Sequence, residues 1–136
     1  MVVTGAANGI GLATATLLWE RGWAVVLADL DVDRAEDERR RLDPAGGATV
    51  AHRTDVTDTA AVADLMAAVH ERFGRLDALV NNAGRPVSAR LEELTDEAWS
   101  DALDVNLGSA MRCCRAALPL LRCSSSASVV NMASAA

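Results

Sequence analysis

A glycine-rich turn and an acid placed after it set the chemistry open to this sequence. Thr4-Gly5-Ala6-Ala7-Asn8-Gly9-Ile10-Gly11 follows the apolar pair Val2-Val3 and runs into a helix-forming stretch. Gly5 permits a tight reversal out of a strand. Gly9 leaves no side chain where backbone must approach a phosphate, and Gly11 lets the helix lie close to a sheet. The helix entry adds unpaired N–H groups and the positive end of the peptide dipoles, both suited to an anion. A glycine-rich loop by itself is more often simply a turn. Here a second apolar run, Trp23 to Ala28, ends in Asp29, eighteen residues after Gly11. That is close to the spacing of a carboxylate that accepts hydrogen bonds from an adenosine ribose. Asp29 could instead cap the next helix, but strand, loop, helix, strand and acid in that order favour dinucleotide binding.

The rest of the chain reads as alternating strands and helices that would hold this turn in place. The first strand is Val2-Val3-Thr4, with a helix over about 9–21 closed by Gly22. A charged helix capped by Asp31 or Asp33 runs to Leu42 and is broken at 44–47. Ala48–Arg53 is a third strand. Asp58 or Thr57 starts a helix with Val62, Leu65, Met66, Val69 and Phe73 on one face, ended by Gly74. Leu76–Asn81 is a fourth strand. Thr95 caps a long helix to about Leu121, with Leu103, Leu107, Met111 and Cys114 along one side, and Ser128–Met132 is a fifth strand. Alternation of this kind predicts an α/β fold: a Rossmann-type doubly wound parallel sheet of about five strands, covered by helices on both faces. Asp29, Asp55, Asn81-Asn82-Ala83-Gly84 and Ser134 all fall at or beyond strand carboxyl ends, where ligands bind in such sheets.

Composition excludes several partners. The chain has 136 residues, a net charge of −6 and 51% hydrophobic residues, which suits one globular domain and neither nucleic acid nor an anionic membrane surface. The basic run Arg39-Arg40-Arg41 follows Glu36, Asp37 and Glu38 and reads as a solvated helix face. Cys113, Cys114 and Cys123 are odd in number, contain no Cys-x-x-Cys spacing and lie far from His52 and His70, so neither a disulfide framework nor a metal site is expected. No signal-like or membrane-spanning run is present in the sequence, and a cytoplasmic location is the default expectation.

Thr4-Gly-x-x-x-Gly-Ile-Gly11, Asp55-Val56, Asn81-Asn-Ala-Gly84, Val105-Asn106 and Val130-Asn-Met-Ala-Ser134 together resemble the short-chain dehydrogenase/reductase family, in its order and spacing, over essentially the whole chain. The resemblance implies an oxidoreductase moving hydride between nicotinamide and a carbonyl or alcohol. Under it, Gly5, Asn8, Gly9, Ile10 and Gly11 cradle the cofactor phosphates, and Asp29 accepts from the ribose hydroxyls with Leu30 beside it. Asp55 and the Val56 backbone meet adenine, while Asn82, Ala83 and Gly84 line the cofactor ribose. Asn106 matches the family's helix asparagine of the proton relay, and Ser134 matches the serine that bonds the substrate oxygen. On the residues alone, Asn106 could equally cap or kink its helix and Ser134 could be an ordinary loop serine.

Electrostatics favour NAD over NADP, because a 2′-phosphate would meet the Asp29 carboxylate while Asn8 and Leu30 offer no compensating cation. The resemblance also assigns proton transfer to a tyrosine helped by a lysine four residues later, yet the chain contains no tyrosine and its 13 basic residues are all arginine. The expectation is therefore an incomplete domain, lacking the later strands and helices, with an exposed apolar edge at its fifth strand and negligible turnover alone. Three readings follow: a partial enzyme, a non-catalytic NAD(H)-binding module, or a half-domain that pairs with another chain. A homo-oligomer through the helix at 96–121 is a further expectation.

Overall fold

Val2–Thr4 (β1) is buried along its whole length at the centre of a five-stranded sheet in the computed structural model, which describes residues 1–86 and 89–134. Val25–Asp29 (β2), Thr49–Arg53 (β3), Ala78–Asn81 (β4) and Ser128–Asn131 (β5) complete it in the order β3-β2-β1-β4-β5. Every pairing is parallel, with Val3 opposite both Leu27 and Val80. Short runs of Val, Leu and Ala at β1, β2 and β4 suit strands buried on both faces, so the α/β doubly wound reading holds.

Helices cover the two faces separately. Gly9–Glu20 (α1) and Val32–Leu42 (α2) pack with Val3, Val25, Leu27 and Val80. Thr59–Phe73 (α3) and Ser109–Leu121 (α5) pack on the other side with Val2, Val26, Ala28 and Leu79. Asp96–Leu103 (α4) leads into α5. The capping alternatives resolve to one residue each: Asp31 accepts from Arg34 N–H and Asp58 accepts from Ala60 N–H. Gly22 and Gly74 close α1 and α3 at φ +85° and +71°, a region that favours glycine. As the spacing predicts, Val62, Leu65, Met66 and Val69 are buried.

Three differences from the sequence reading exceed a single residue, while β3 starts one residue later and β5 ends one residue earlier than expected. β2 begins at Val25 rather than Trp23, because Trp23 N–H is still bonded to the Leu18 carbonyl at the end of α1. β4 begins at Ala78, since Leu76 N–H turns aside to the Leu120 carbonyl. The single long helix is interrupted by a wide π turn over Asp104–Gly108. The core-facing side of α5 is then Cys113, Ala117, Leu120 and Leu121, whereas Leu103, Leu107 and Met111 are exposed and Cys114 is half-buried. β5 lies at the sheet edge with all four residues exposed.

Candidate functional site

β1 is flanked by β2 on one side and β4 on the other, and the chain leaves these strands in opposite directions. Such a reversal opens a crevice at the carboxyl ends. A cleft of about 530 Å³ lies there, lined by Gly5, Asn8, Ile10, Asp29, Leu30, Asp55, Val56, Asn82, Ala83 and Gly84 among the predicted residues. Thr54, Thr57, Arg85 and Val105 complete the lining. Gly9, Gly11, Asn106 and Ser134 are not part of it.

The glycine turn is shaped by sterics that the sequence only hinted at. Gly5 sits at φ +63°, and a Cβ there would lie 2.9 Å from the Ala83 Cα. Gly11 is tighter: a Cβ would fall 2.1 Å from the Gly5 carbonyl oxygen and 2.5 Å from Asn82 Nδ2. Its neighbour is thus the turn and the end of β4, a more specific role than helix–sheet approach. Gly9, at φ +54°, would direct a Cβ into open space, with no atom within 4 Å. Asn8 precedes α1 without any side-chain hydrogen bond to it, whereas α2, α3 and α4 are each capped by a side chain. The first-turn N–H groups of α1 therefore lack the usual acceptor. Together with the open space at Gly9, this fits an anionic group carried by a cofactor.

Side-chain hydrogen bonds lock the turn to the neighbouring strand ends. Asn82 Nδ2 donates to the Thr4 and Gly5 carbonyls at 2.9 and 3.1 Å. The Asn82 and Ala83 N–H groups both donate to Thr4 Oγ1 at 3.0 Å. Asp29 Oδ2 accepts from Ala7 N–H at 2.9 Å, and its Oδ1 accepts from Asp31 N–H at 3.0 Å. The acid is accordingly half-buried and fixed, with one further lone pair on each oxygen for an incoming hydroxyl. Asp55 Oδ1 accepts from the Thr57 hydroxyl and N–H at 2.6 and 2.9 Å. Those bonds, with Arg53 and Arg112 nearby and burial opposing, hold its carboxyl below the ordinary aspartate range.

Asn106 stands in the π turn and does two things at once. Its Nδ2 donates to the Ala102 carbonyl, one turn back, and to the Arg85 carbonyl, both at 3.0 Å. Its Oδ1 accepts from Arg85 N–H at 3.0 Å. The asparagine thus displaces a helical bond, which explains the wide turn, and clamps the loop after Gly84 by both backbone polar groups. Gly84 is glycine for the same reason, since a Cβ would lie 2.7 Å from Asn106 Oδ1. Arg85 is the cation of the cleft lining; its guanidinium meets Asp101 at 3.4 Å. Nothing in the motif spacing pointed to Arg85, Thr54 or Thr57 as lining residues; their position directly after strand ends was the available signal. Ser134 is exposed, three residues beyond β5 at the same end of the sheet.

Known proteins share this fold and much of this sequence. A family model described as short chain dehydrogenase matches residues 1–136. The cis-4-hydroxycyclohexanecarboxylate dehydrogenase of Sinomonas cyclohexanicum is 45% identical over 98% of this chain and 53% of its own length. The 3beta-hydroxysteroid dehydrogenase of Mediterraneibacter gnavus is 38% identical over 100% of this chain and 49% of its own length. The chain spans about half the length of the curated relatives it matches. Among solved structures, a short chain dehydrogenase from Mycobacterium smegmatis superposes with a TM-score of 0.90 at 41% identity, covering 98% of this chain and 57% of that one. An alcohol dehydrogenase from Thermococcus sibiricus complexed with 5-hydroxy-NADP superposes at 0.86 with 37% identity, covering 94% and 55%.

Proposed function

The chain belongs to the short-chain dehydrogenase family, and on that premise we propose that it forms the NAD-binding half of an oxidoreductase acting on a carbonyl or alcohol substrate. The observation that carries this is the meeting of the uncapped helix start at Asn8 and the fixed Asp29 carboxylate in one cleft, with open space beside Gly9 in the same turn. In this reading Gly5, Asn8, Gly9, Ile10 and Gly11 receive the phosphates, Asp29 and Leu30 the adenosine ribose, and Asp55 and Val56 the adenine. Asn82, Ala83 and Gly84 line the second ribose. The nicotinamide, when bound, accepts or supplies the hydride. Ser134 donates to or accepts from the substrate oxygen, and Asn106 holds the loop beside it. The two relatives named above are called after hydroxyl-bearing substrates, which supports the reaction class.

The NAD preference rests on charge. A 2′-phosphate beside Asp29 would place two anions together at a half-buried site, which is repulsive and costly to desolvate. The Thermococcus relative binds an NADP derivative, so the fold itself admits either cofactor and residues near position 29 must discriminate. A fluorescence titration of the purified chain tests this. NADH is expected to bind at least about tenfold more tightly than NADPH; equal or tighter NADPH binding would overturn the assignment.

A second reading is a dinucleotide-binding module without turnover. NADH binding without carbonyl reduction by the whole natural polypeptide would select it. The proposal also includes pairing of two copies through the helical segment 96–121, supported by the exposed Leu103, Leu107, Met111 and Leu118. A reducing, cytoplasmic setting is part of it too, supported by three free cysteines. No described helix is long and apolar enough to cross a membrane.

A further inference from the structure

We infer that the Asp104–Arg112 ion pair, laid across Gly108, is a positioning device that fixes the π turn and thereby sets the dinucleotide cleft against its Asn106 lip. This rests on the reading of the cleft as a dinucleotide site. Arg112 projects from the first turn of α5, and its Nη2 meets Asp104 Oδ1 at the start of the π turn. The two residues are eight positions apart. Helical side chains lean toward the N-terminus, and an arginine is long enough to bridge two turns in that direction. Only a residue without a side chain leaves the path clear. A Cβ on Gly108 would lie 2.6 Å from Asp104 Oδ1 and 2.9 Å from Arg112 Nη1.

Packing alone does not account for the arginine. Its side chain is 17% exposed, and Nη1 is buried with no hydrogen-bond partner among the described residues. A half-satisfied, largely buried guanidinium is costly beside an apolar side chain of similar volume. What the arginine does is span elements. At one end it holds Asp104, the residue before Val105 in the cleft wall and two before Asn106. Beside it, Cys113 shares a core cluster with Val56, which lines the adenosine side of the same cleft. Arg112 is also among the charges acting on Asp55, after the Thr57 bonds and Arg53. The pair therefore fixes the turn that carries Val105, Asn106 and the clamped Arg85 backbone onto the first turn of α5, whose Cys113 belongs to the cluster against which Val56 packs.

The test compares a ligand spanning the cleft with one filling only the adenosine end, on the whole chain. Arg112→Met is expected to weaken NADH binding about tenfold while changing AMP binding less than about twofold. Arg112→Lys, which keeps the charge, is expected to recover NADH affinity to within about threefold of the parent. NADH affinity unchanged in Arg112→Met, or AMP weakened as much as NADH, would overturn the proposal. Should Arg112→Met fail to fold, Gly108→Ala supplies the second arm. Its φ of −58° is helical and alanine favours the helix, so it moves the pair without cost to the backbone. It is expected to keep or raise Tm yet weaken NADH severalfold. Undiminished NADH affinity in Gly108→Ala would overturn the proposal. A parent chain that binds neither NADH nor AMP would instead refute the dinucleotide reading.

Discussion

Thr4→Val isolates the bond that joins the glycine turn to the end of β4. The swap keeps the shape of the side chain and removes one oxygen. That oxygen accepts from Asn82 N–H and Ala83 N–H at 3.0 Å each and reaches the Val80 carbonyl at 3.4 Å. Backbone pairing of β1 with β4 stops at Val3 opposite Val80, so the hydroxyl substitutes for the missing rung. Thr4 is 2% exposed, whereas Asn82 and Ala83 are half-buried and gain partial help from water. Each lost acceptor costs about 1–1.5 kcal/mol under those conditions. Valine recovers about 0.5 kcal/mol through its better fit to a buried strand, leaving a net loss of roughly 2 kcal/mol. With a urea slope near 2 kcal/mol per molar, the unfolding midpoint falls by about 1 M. Circular dichroism across a urea series reads this directly, and NADH affinity falls in parallel because Asn82, Ala83 and Gly84 line the cleft. A midpoint within about 0.2 M of the parent would refute the claim that this hydroxyl holds the turn to the strand.

Other perturbations give equally direct outcomes. Gly11→Ala gains about 1 kcal/mol of helix propensity. It also drives a methyl into the Gly5 carbonyl and the Asn82 amide, so a net loss of about 2 kcal/mol and a Tm lower by roughly 7 °C are expected by calorimetry. The Cys113 thiol is pushed up to about 11 by burial, reinforced by Cys114 and opposed by Arg112. A chromogenic disulfide reagent at neutral pH should therefore label exposed Cys123 quickly and Cys113 only on unfolding. Asp43 and Asp77 are held below the ordinary aspartate value of 3.8, chiefly by the Ala48 N–H and the Ser124 hydroxyl respectively. The folded state then binds fewer protons than the unfolded one. The stability they contribute is complete above 3.8 and is lost as pH falls through their lower folded values. Asp43→Asn should flatten that acid limb in urea midpoints measured against pH.

Periodicity and punctuation carried most of the fold. Gly22 and Gly74 closed their helices where they stand, and alternating apolar runs gave five parallel strands. The π turn was hidden because Leu103, Leu107 and Met111 keep helical spacing across it. Its cause is a side chain, Asn106, taking the Ala102 carbonyl and a loop backbone distant in sequence. Motif spacing located the cleft through Gly5, Asp29, Asp55 and Asn82. It did not show that Asp29 is also bonded to Ala7, because a carboxylate's second task depends on which backbone folds over it.

Asn82 has a mechanical consequence. Its amide fills the hollow beneath Gly11 while gripping the Thr4 and Gly5 carbonyls, so three separate stretches of chain are riveted together. Amide protons at Ala7, Asn82 and Ala83 should accordingly exchange with deuterium as one cooperative block, opening and closing in step rather than fraying singly.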